Sequence, residues 1–585
     1  MNDASVIPNI MERRICVAIS LILFAGLFAY RVVLFSDIEP RSDQMFFSWW
    51  VQGLSQADQV FPTSRNGESF LGALERDDES FLHRLLRPIH GKSITIFTSV
   101  PLALRLIVAW VFGNGIEVQT ISSIFAGTLI ILAVGLLAVW SFRTRPGNLN
   151  NRSINGLALL AVMLAGGTYY LHYYSPLGNH NFGVLFLIIA VGATQQAISS
   201  LEDGQRGGSR LIVIASFLQF LALYSHWTNI FLLPASTFLV WVISSIPLRR
   251  KIIMAGYYFA FLLIIASPFF LLGVNDLGHA GNARNHTVWD LLRIALRSGG
   301  ADYVDIFLGS SLKWFYNLIL ILSPAGLFLG LLGVFILAIR QRIFLPLSLC
   351  VTHFIVSITM PMFLGAHFRT DLYIIPFLIL GLAYLVVLNL SEAVNFWRTR
   401  EGSILTMAGV VILTAGAHHF WLQSSKIGQS DIIQQQIPEF WASYYKGQGE
   451  LRPMAKEIDQ ILPESAVIFT WGYGMQFFVR NYGIENAGRK IMPSLLTLIP
   501  RIDNGNLSHL IKSRGLSIQT DAPIYVLIDH EADRVDRESV RIGIANVLGP
   551  IGFGLLKNAT LELQVQWQLS SSWPRDVAVY RVGMK

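Results

Sequence analysis

Residues 13–50 read RRICVAISLILFAGLFAYRVVLFSDIEPRSDQMFFSWW. The stretch 15–35 is an apolar run of the length a bilayer crossing needs, about 20 residues. Arg13 and Arg14 precede it, and Asp37, Glu39, Arg41 and Asp43 crowd its far end. The run lacks a small-residue cleavage site, so it reads as a retained span rather than a removed signal. The far-end charges either mark the exit into water or mark where chemistry occurs.

The same pattern recurs along the chain. Of 585 residues 53% are hydrophobic and 14% charged, and the mean hydropathy is +0.51. That charged share is about half that of a soluble domain. Further apolar segments lie at 120–141, 155–171, 182–199, 211–224, 229–247, 252–273, 315–339, 343–363, 371–390 and 403–422. They predict a polytopic α-helical membrane protein of about 11–13 transmembrane helices. A soluble C-terminal α/β domain follows, with domain limits 1–422 (including the loop 36–92) and 423–585.

The segment 93–113 carries Arg105 at its middle, and basic clusters decide how to read it. If it lies along the interface or re-enters, then 142–152, 249–251, 340–342 and 397–400 all fall on the cytoplasmic side with Arg13 and Arg14. A full crossing would put all four clusters outside. The first reading gives eleven crossings, an outward C-terminal domain, and a multi-pass protein of a bacterial inner membrane with its site on the periplasmic side. The net charge of +7 then belongs to cytoplasmic turns, and no nucleic-acid partner is implied. Cys16 and Cys350 both lie in apolar segments, so neither a disulfide framework nor a cysteine metal cluster is expected.

The outer loops are chemically distinct. Loop 36–92 holds nine acidic and six basic residues, with His83 and His90. Other outer turns contain HYYSPLGNHN (172–181), YSHWTN (224–229), GHAGNARNH (278–286) and GAHFRTD (365–371). Eight of the 13 histidines fall in these five segments, a one-sided distribution that points to a shared polar cavity at the outer membrane edge. His172, His180, Asn181, His226 and Trp227 are its expected lining, although Trp227 also suits an interfacial belt.

Two stretches supply candidate chemistry. DQMFFSWWVQGLSQ (43–56) suits an interfacial helix, with Asp43 either as its N-cap or as a general base held ionised at the surface. HFRTDLYIIP (367–376) places His367, Arg369, Asp371 and Tyr373 at the outer start of a span. There Arg369 either pairs with Asp371 or binds phosphate through its planar fork. Arg284 is a further outer cation. The sequence has no phosphate-cradling GxxxxGK[ST], no GxSxG elbow and no HExxH, which argues against an ATP-driven pump or a serine hydrolase.

Together these stretches resemble the GT-C membrane glycosyltransferases, in the branch of the protein O-mannosyltransferases and aminoarabinose transferases. Pro40, Asp43 and Phe46 are similar to that family's first-loop signature, and Arg369, Tyr373 and Pro376 to its late one. The segment 224–239 looks like its short loop before a span with a central Pro. The resemblance implies Asp43 as the catalytic carboxylate that deprotonates the acceptor, with Asp37 and Glu39 beside it, and Arg369, His367, Tyr373 and Arg284 at the donor phosphate. It also implies a sugar donor on polyprenyl phosphate, entering from membrane lipid, and an acceptor that is a lipid, glycan or protein. Gln44 stands where the family has a second acid, so a divalent metal ion would need Asp37 or Glu39 as a further ligand. The alternative is a transporter or flippase of a lipid-linked glycan. Such proteins place ionisable groups near the bilayer midplane, and here only Arg105 and His353 sit well inside an apolar run.

In the tail, 437–463 reads as helix, 466–471 and 523–530 as buried strands, and 561–569 and 577–582 as later strands. WGYGMQFFVRNYG (471–483) reads as a glycine turn leading into a helix.

Overall fold

The computed structural model describes residues 6–35, 99–113, 116–143, 151–166, 180–204, 208–226, 228–249, 300–359, 371–396, 450–471, 522–531, 535–548, 559–569 and 576–583, with scattered positions within 251–263 and 475–495. The chain divides into two compact units. One takes Met1–Val32, Lys92–Pro101 and Ser123–Gly428, and the other takes Val33–Gly91, Leu102–Ser122 and Gln429–Lys585.

The architecture is that of a polytopic helical membrane protein carrying a small α/β domain. The apolar runs become α1 (Val6–Phe35), α2 (Ser99–Phe112), α3 (Ile116–Arg143), α4 (Asn151–Ala165), α5 (His180–Glu202), α6 (Gly208–Leu223), α7 (Thr228–Ile243), α8 (Gly300–Gln341), α9 (Leu345–Thr359) and α10 (Ile375–Phe396). Four stretches, Arg14–Val33, Val118–Phe142, His180–Glu202 and Ile321–Gln341, are long and apolar enough to cross a membrane. The span expected at 403–422 lies outside the described residues, and most of 252–273 does too.

Helix α2 has 14 residues, about 21 Å at 1.5 Å per residue, too short to cross a 30 Å core. Gly113, with φ 93°, ends it. Arg105 is buried and reaches the carbonyl of Gln119 at 3.5 Å, so the charge that made 93–113 ambiguous folds onto the first turns of α3. Arg31 was not among the charges expected inside a span. It is fully buried on α1 and donates to Thr128 Oγ1 at 2.9 Å and to the Ile124 carbonyl at 3.2 Å.

Helix α8 extends well before residue 315 and is kinked at Ser323 (φ 64°) and Pro324. Proline removes a backbone donor and crowds the preceding turn, which bends a helix. Ser323 Oγ accepts the Gly326 N–H at 3.2 Å at this break. Beyond the kink, α8 meets α10 backbone to backbone. A Cβ on Gly330 would lie 3.1 Å from the Leu378 carbonyl oxygen, and one on Gly333 would collide with the Gly381 carbonyl. Small residues permit this approach, which is how helices associate where no water drives them together. Polar cross-links add to it: Gln219 Nε2 donates to Thr194 Oγ1 and Thr237 Oγ1, each at 2.9 Å, tying α5, α6 and α7.

The helix ends sort by chemistry. Glu202, at the finish of α5, accepts the Ser245 N–H beyond α7 at 2.8 Å. Arg210, Arg249, Lys251, Arg340 and Arg342 belong to the turns at that end. The opposite end, where α5, α7 and α10 begin, carries the histidines.

The second unit contains a five-stranded sheet in the order β2-β1-β3-β5-β4. Its strands are β1 (Val467–Thr470), β2 (Lys490–Ile491), β3 (Ile524–Asp529), β4 (Thr560–Gln568) and β5 (Asp576–Gly583). β1 runs parallel to β2 and β3, while β5 runs antiparallel to β3 and β4. The apolar runs of β1 and β3 are buried on both faces, as expected for strands covered from both sides. Val467, Phe469, Val526 and Ile528 pack with Val540, Ile544 and Val547 of α12 (Arg537–Leu548). Ile468, Leu527 and Val579 pack with Leu451, Met454 and Ile458 of α11 (Leu451–Ile461). The four expected strands are present. β2 and α12 were not anticipated; β2 has only two residues, too few to carry a period, and α12 interleaves Val540, Ile542, Ile544 and Val547 with Arg541, Gly543 and Asn546. Of the helix expected over 437–463, α11 is the described part.

Candidate active site

Three sequence-distant side chains meet where α5, α7 and α10 begin. His180 opens α5, His226 precedes α7, and Tyr373 lies in the turn before α10. The ring centroids of His180 and His226 are 4.2 Å apart, those of His226 and Tyr373 5.5 Å, and those of His180 and Tyr373 6.1 Å. The Tyr373 hydroxyl is 3.5 Å from His180 Nδ1. His226 Nδ1 accepts the Thr228 N–H at 3.3 Å, so the histidine caps the first turn of α7. In the neutral ring its proton is therefore on Nε2.

Gly183 makes this packing possible. A Cβ there would lie 2.6 Å from His226 Cβ and would collide with the Tyr373 hydroxyl. Asn229 holds the backbone around it, donating to the carbonyls of Gly183 at 3.0 Å and Ala222 at 2.8 Å. Asn181 donates to the Ser123 carbonyl at 2.9 Å and anchors α5 to α3. The starts of α5 and α7 add their positive dipole ends. Imidazole and phenol groups thus gather at two helix starts, with Tyr373 and His226 buried in the bundle.

A second group of polar residues lies beside the first. Asp371, fully buried, accepts from Asn317 Nδ2 of α8 at 2.6 Å. Its other carboxylate oxygen faces His353 Nε2 of α9 at 3.9 Å. Trp314 Nε1 donates to His353 Nδ1 at 2.9 Å. Only Leu372 separates Asp371 from Tyr373, and the Ile374 N–H closes the turn onto the Asp371 carbonyl at 3.3 Å.

The structure thus brings together His180 and His226 of the expected lining with Tyr373 of the expected phosphate group, while Asn181 is turned toward α3. Asp37, Glu39, Asp43, His172, Trp227, Arg284, His367 and Arg369 lie outside the described residues. Sequence reasoning did not single out Trp314, Asn317, Thr228, Asn229 or Gly183. His353 stood out only as an ionisable group in a span, and Asp371 only as a partner for Arg369. Among the described residues, no three His, Cys, Asp or Glu side chains gather to hold a metal ion.

No protein-family model matches the sequence, and no curated protein matches it. Among solved structures the chain is similar to ArnT from Cupriavidus metallidurans in the apo state. The two share 12% identity over 97% of this chain and 97% of that chain, with a TM-score of 0.49. It is similar to the archaeal oligosaccharyltransferase AglB from Archaeoglobus fulgidus, in complex with an inhibitory peptide and a dolichol-phosphate. That likeness is 12% identity over 93% of this chain and 72% of that chain, with a TM-score of 0.46. The apo form of the Archaeoglobus fulgidus oligosaccharyltransferase gives 13% identity, 97% and 74% coverage, and a TM-score of 0.45.

Proposed function

We propose that the chain is an integral-membrane glycosyltransferase that moves a sugar from a polyprenyl-phosphate carrier to an acceptor lipid, glycan or protein at the outer face of the membrane. One observation carries the reading: His180, His226 and Tyr373 converge where three apolar helices begin. A lipid-linked phosphate presents its anion at that depth, and its prenyl tail matches the apolar helix surfaces below. In this reading residues 1–422, with loop 36–92, form the membrane domain of a bacterial inner membrane protein. Residues 423–585 lie on the periplasmic side and help present the acceptor.

The chemistry is a displacement at the anomeric carbon. An acceptor hydroxyl or amine forms the new bond to that carbon, and the bond to the phosphate oxygen breaks. The electron pair leaves with polyprenyl phosphate, and the acceptor proton passes to Asp43, with Asp37 and Glu39 beside it. Arg369, Arg284, His367 and Tyr373, with the paired histidines, hold the phosphate as its charge grows. Donor activation comes from the phosphate ester itself, so no nucleotide is consumed. If a divalent metal ion takes part, Asp43 with Asp37 or Glu39 are the groups to hold it, and it would supply positive charge to the phosphate.

The buried His353–Asp371 pair favours a second reading, a flippase that moves the lipid-linked glycan intact, because ionisable pairs inside a bundle serve proton-coupled transport. Mass spectrometry of lipid co-purifying with the protein tests the shared premise. We expect a polyprenyl-phosphate sugar, or polyprenyl phosphate alone, in wild-type protein and less in a His180→Ala/His226→Ala variant. Equal recovery from both proteins would remove the histidine pair from the donor site.

A further inference from the structure

Trp314, His353, Asp371 and Tyr373 are contributed by α8, α9 and the turn before α10, and their order in space gives each a distinct task. An indole nitrogen can only donate, so the 2.9 Å contact from Trp314 Nε1 makes His353 Nδ1 an acceptor. An imidazolium would point an N–H at the indole N–H, which this contact forbids. Ser357 Oγ, 3.4 Å from the same Nδ1, fits the acceptor role as well. The imidazole proton therefore resides on Nε2, the atom that faces Asp371 Oδ1 at 3.9 Å. Asn317 holds the opposite carboxylate oxygen at 2.6 Å. Asp371 is thereby addressed from two helices and fixes the turn Asp371–Ile374. Two residues on, Tyr373 enters the contact with His226 and His180.

We propose that His353 is a tautomer-locked neutral imidazole whose Nε2–H faces Asp371, and that with Asp371 it positions Tyr373 to bind the phosphate of the lipid-linked donor. The inference rests on the glycosyltransferase reading for the identity of that phosphate. His353 and Asp371 are positioning residues here and carry no proton through the bundle. A side chain that accepts from Trp314 and turns an N–H toward Asp371 should therefore replace His353, and glutamine has both groups.

The test measures binding of polyprenyl phosphate, the donor KM and kcat on the full-length protein in nanodiscs. His353→Phe, which removes both contacts, is expected to weaken polyprenyl phosphate binding and raise the donor KM about tenfold. Its kcat should fall as well, because Tyr373 also holds the phosphate as its charge grows. His353→Gln is expected to restore both constants to within about threefold of wild type. A His353→Gln protein as impaired as His353→Phe would overturn the neutral-imidazole assignment, because glutamine cannot be protonated. Unchanged binding in His353→Phe would overturn the positioning role. If His353→Phe does not fold, Trp314→Phe takes its place: weakened binding supports the lock and unchanged binding overturns it. Wild-type protein that binds polyprenyl phosphate but transfers no sugar would sink the transferase reading, while the binding series would still decide the role of His353.

Discussion

His180 and His226 face each other with ring centroids 4.2 Å apart, one at the first residue of α5 and the other capping α7. Two cations at that spacing would repel by about 4 kcal/mol at an effective dielectric constant of about 20. An anion is the natural third member of such a pair, and the helix starts around it carry positive dipole ends.

Gly183 is the position where that arrangement is most easily broken. The methyl of Gly183→Ala would press His226 and the Tyr373 hydroxyl aside. We expect sugar transfer to fall about tenfold or more, since small misplacements at a site are costly. The stability cost should be that of ordinary overpacking, about 1–3 kcal/mol. Steady-state rates beside melting curves separate the two. A melting change with unaltered rates would detach Gly183 from the site.

The α8–α10 contact makes a complementary prediction for stability. Gly333→Leu forces a side chain into the Gly381 backbone, where no flexible group can yield. Thermal unfolding in detergent should show a loss of at least the 1–3 kcal/mol typical of overpacking. A neutral result would mean the two helices do not approach as closely as described.

Much of this architecture was legible in the sequence, for reasons that also explain the gaps. Apolar length located the helices, and alternating or continuous apolar runs located β1, β3, β4 and β5. The accumulation of histidine at outer turns placed His180 and His226 at one end of the bundle, and Tyr373 with them. Long-range partners were not legible. Nothing local to Trp314, Asn317 or His353 says that three helices bring them to Asp371. Arg31 looked like a flanking charge because its partners, Ile124 and Thr128, are on α3. The kink at Ser323 and Pro324 was foreseeable from the proline alone, yet the segment was read as one straight span.

In the α/β domain, Arg489 is a buried cation surrounded by carbonyls. It donates to the backbone oxygens of Asp459 at 2.7 Å, Pro463 at 3.1 Å and Ile484 at 3.1 Å, and it pairs with the Asp459 carboxylate. Arg489→Met should cost the domain roughly 2–4 kcal/mol, because buried acceptors lose a charged donor. Limited proteolysis and hydrogen exchange of β1 and α11 would report it. Unchanged protection would contradict the assigned role.

The start of α12 should respond to acid. The Ser539 backbone N–H donates to Asp536 Oδ1 at 2.7 Å and holds the Asp536 carboxyl below its usual pKa. A depressed folded-state pKa gives stability that is present above the unfolded value, about 3.9, and lost as pH falls through the folded value. Exchange protection of the first turn of α12 should therefore drop as pH falls below about 4. In Asp536→Ala it should already be low at pH 6 and vary little with acid. Equal acid sensitivity in both proteins would assign the transition elsewhere.

Central to the account is that the outer end of this bundle breaks the bond between a sugar and polyprenyl phosphate. The most direct measurement follows polyprenyl phosphate released from a lipid-linked sugar by purified protein in liposomes, for wild type and a folded Asp43→Asn variant. We predict stoichiometric release with sugar transfer in wild type, and loss of both in Asp43→Asn. Intact lipid-linked sugar reaching the opposite leaflet, with no polyprenyl phosphate released, would contradict the account.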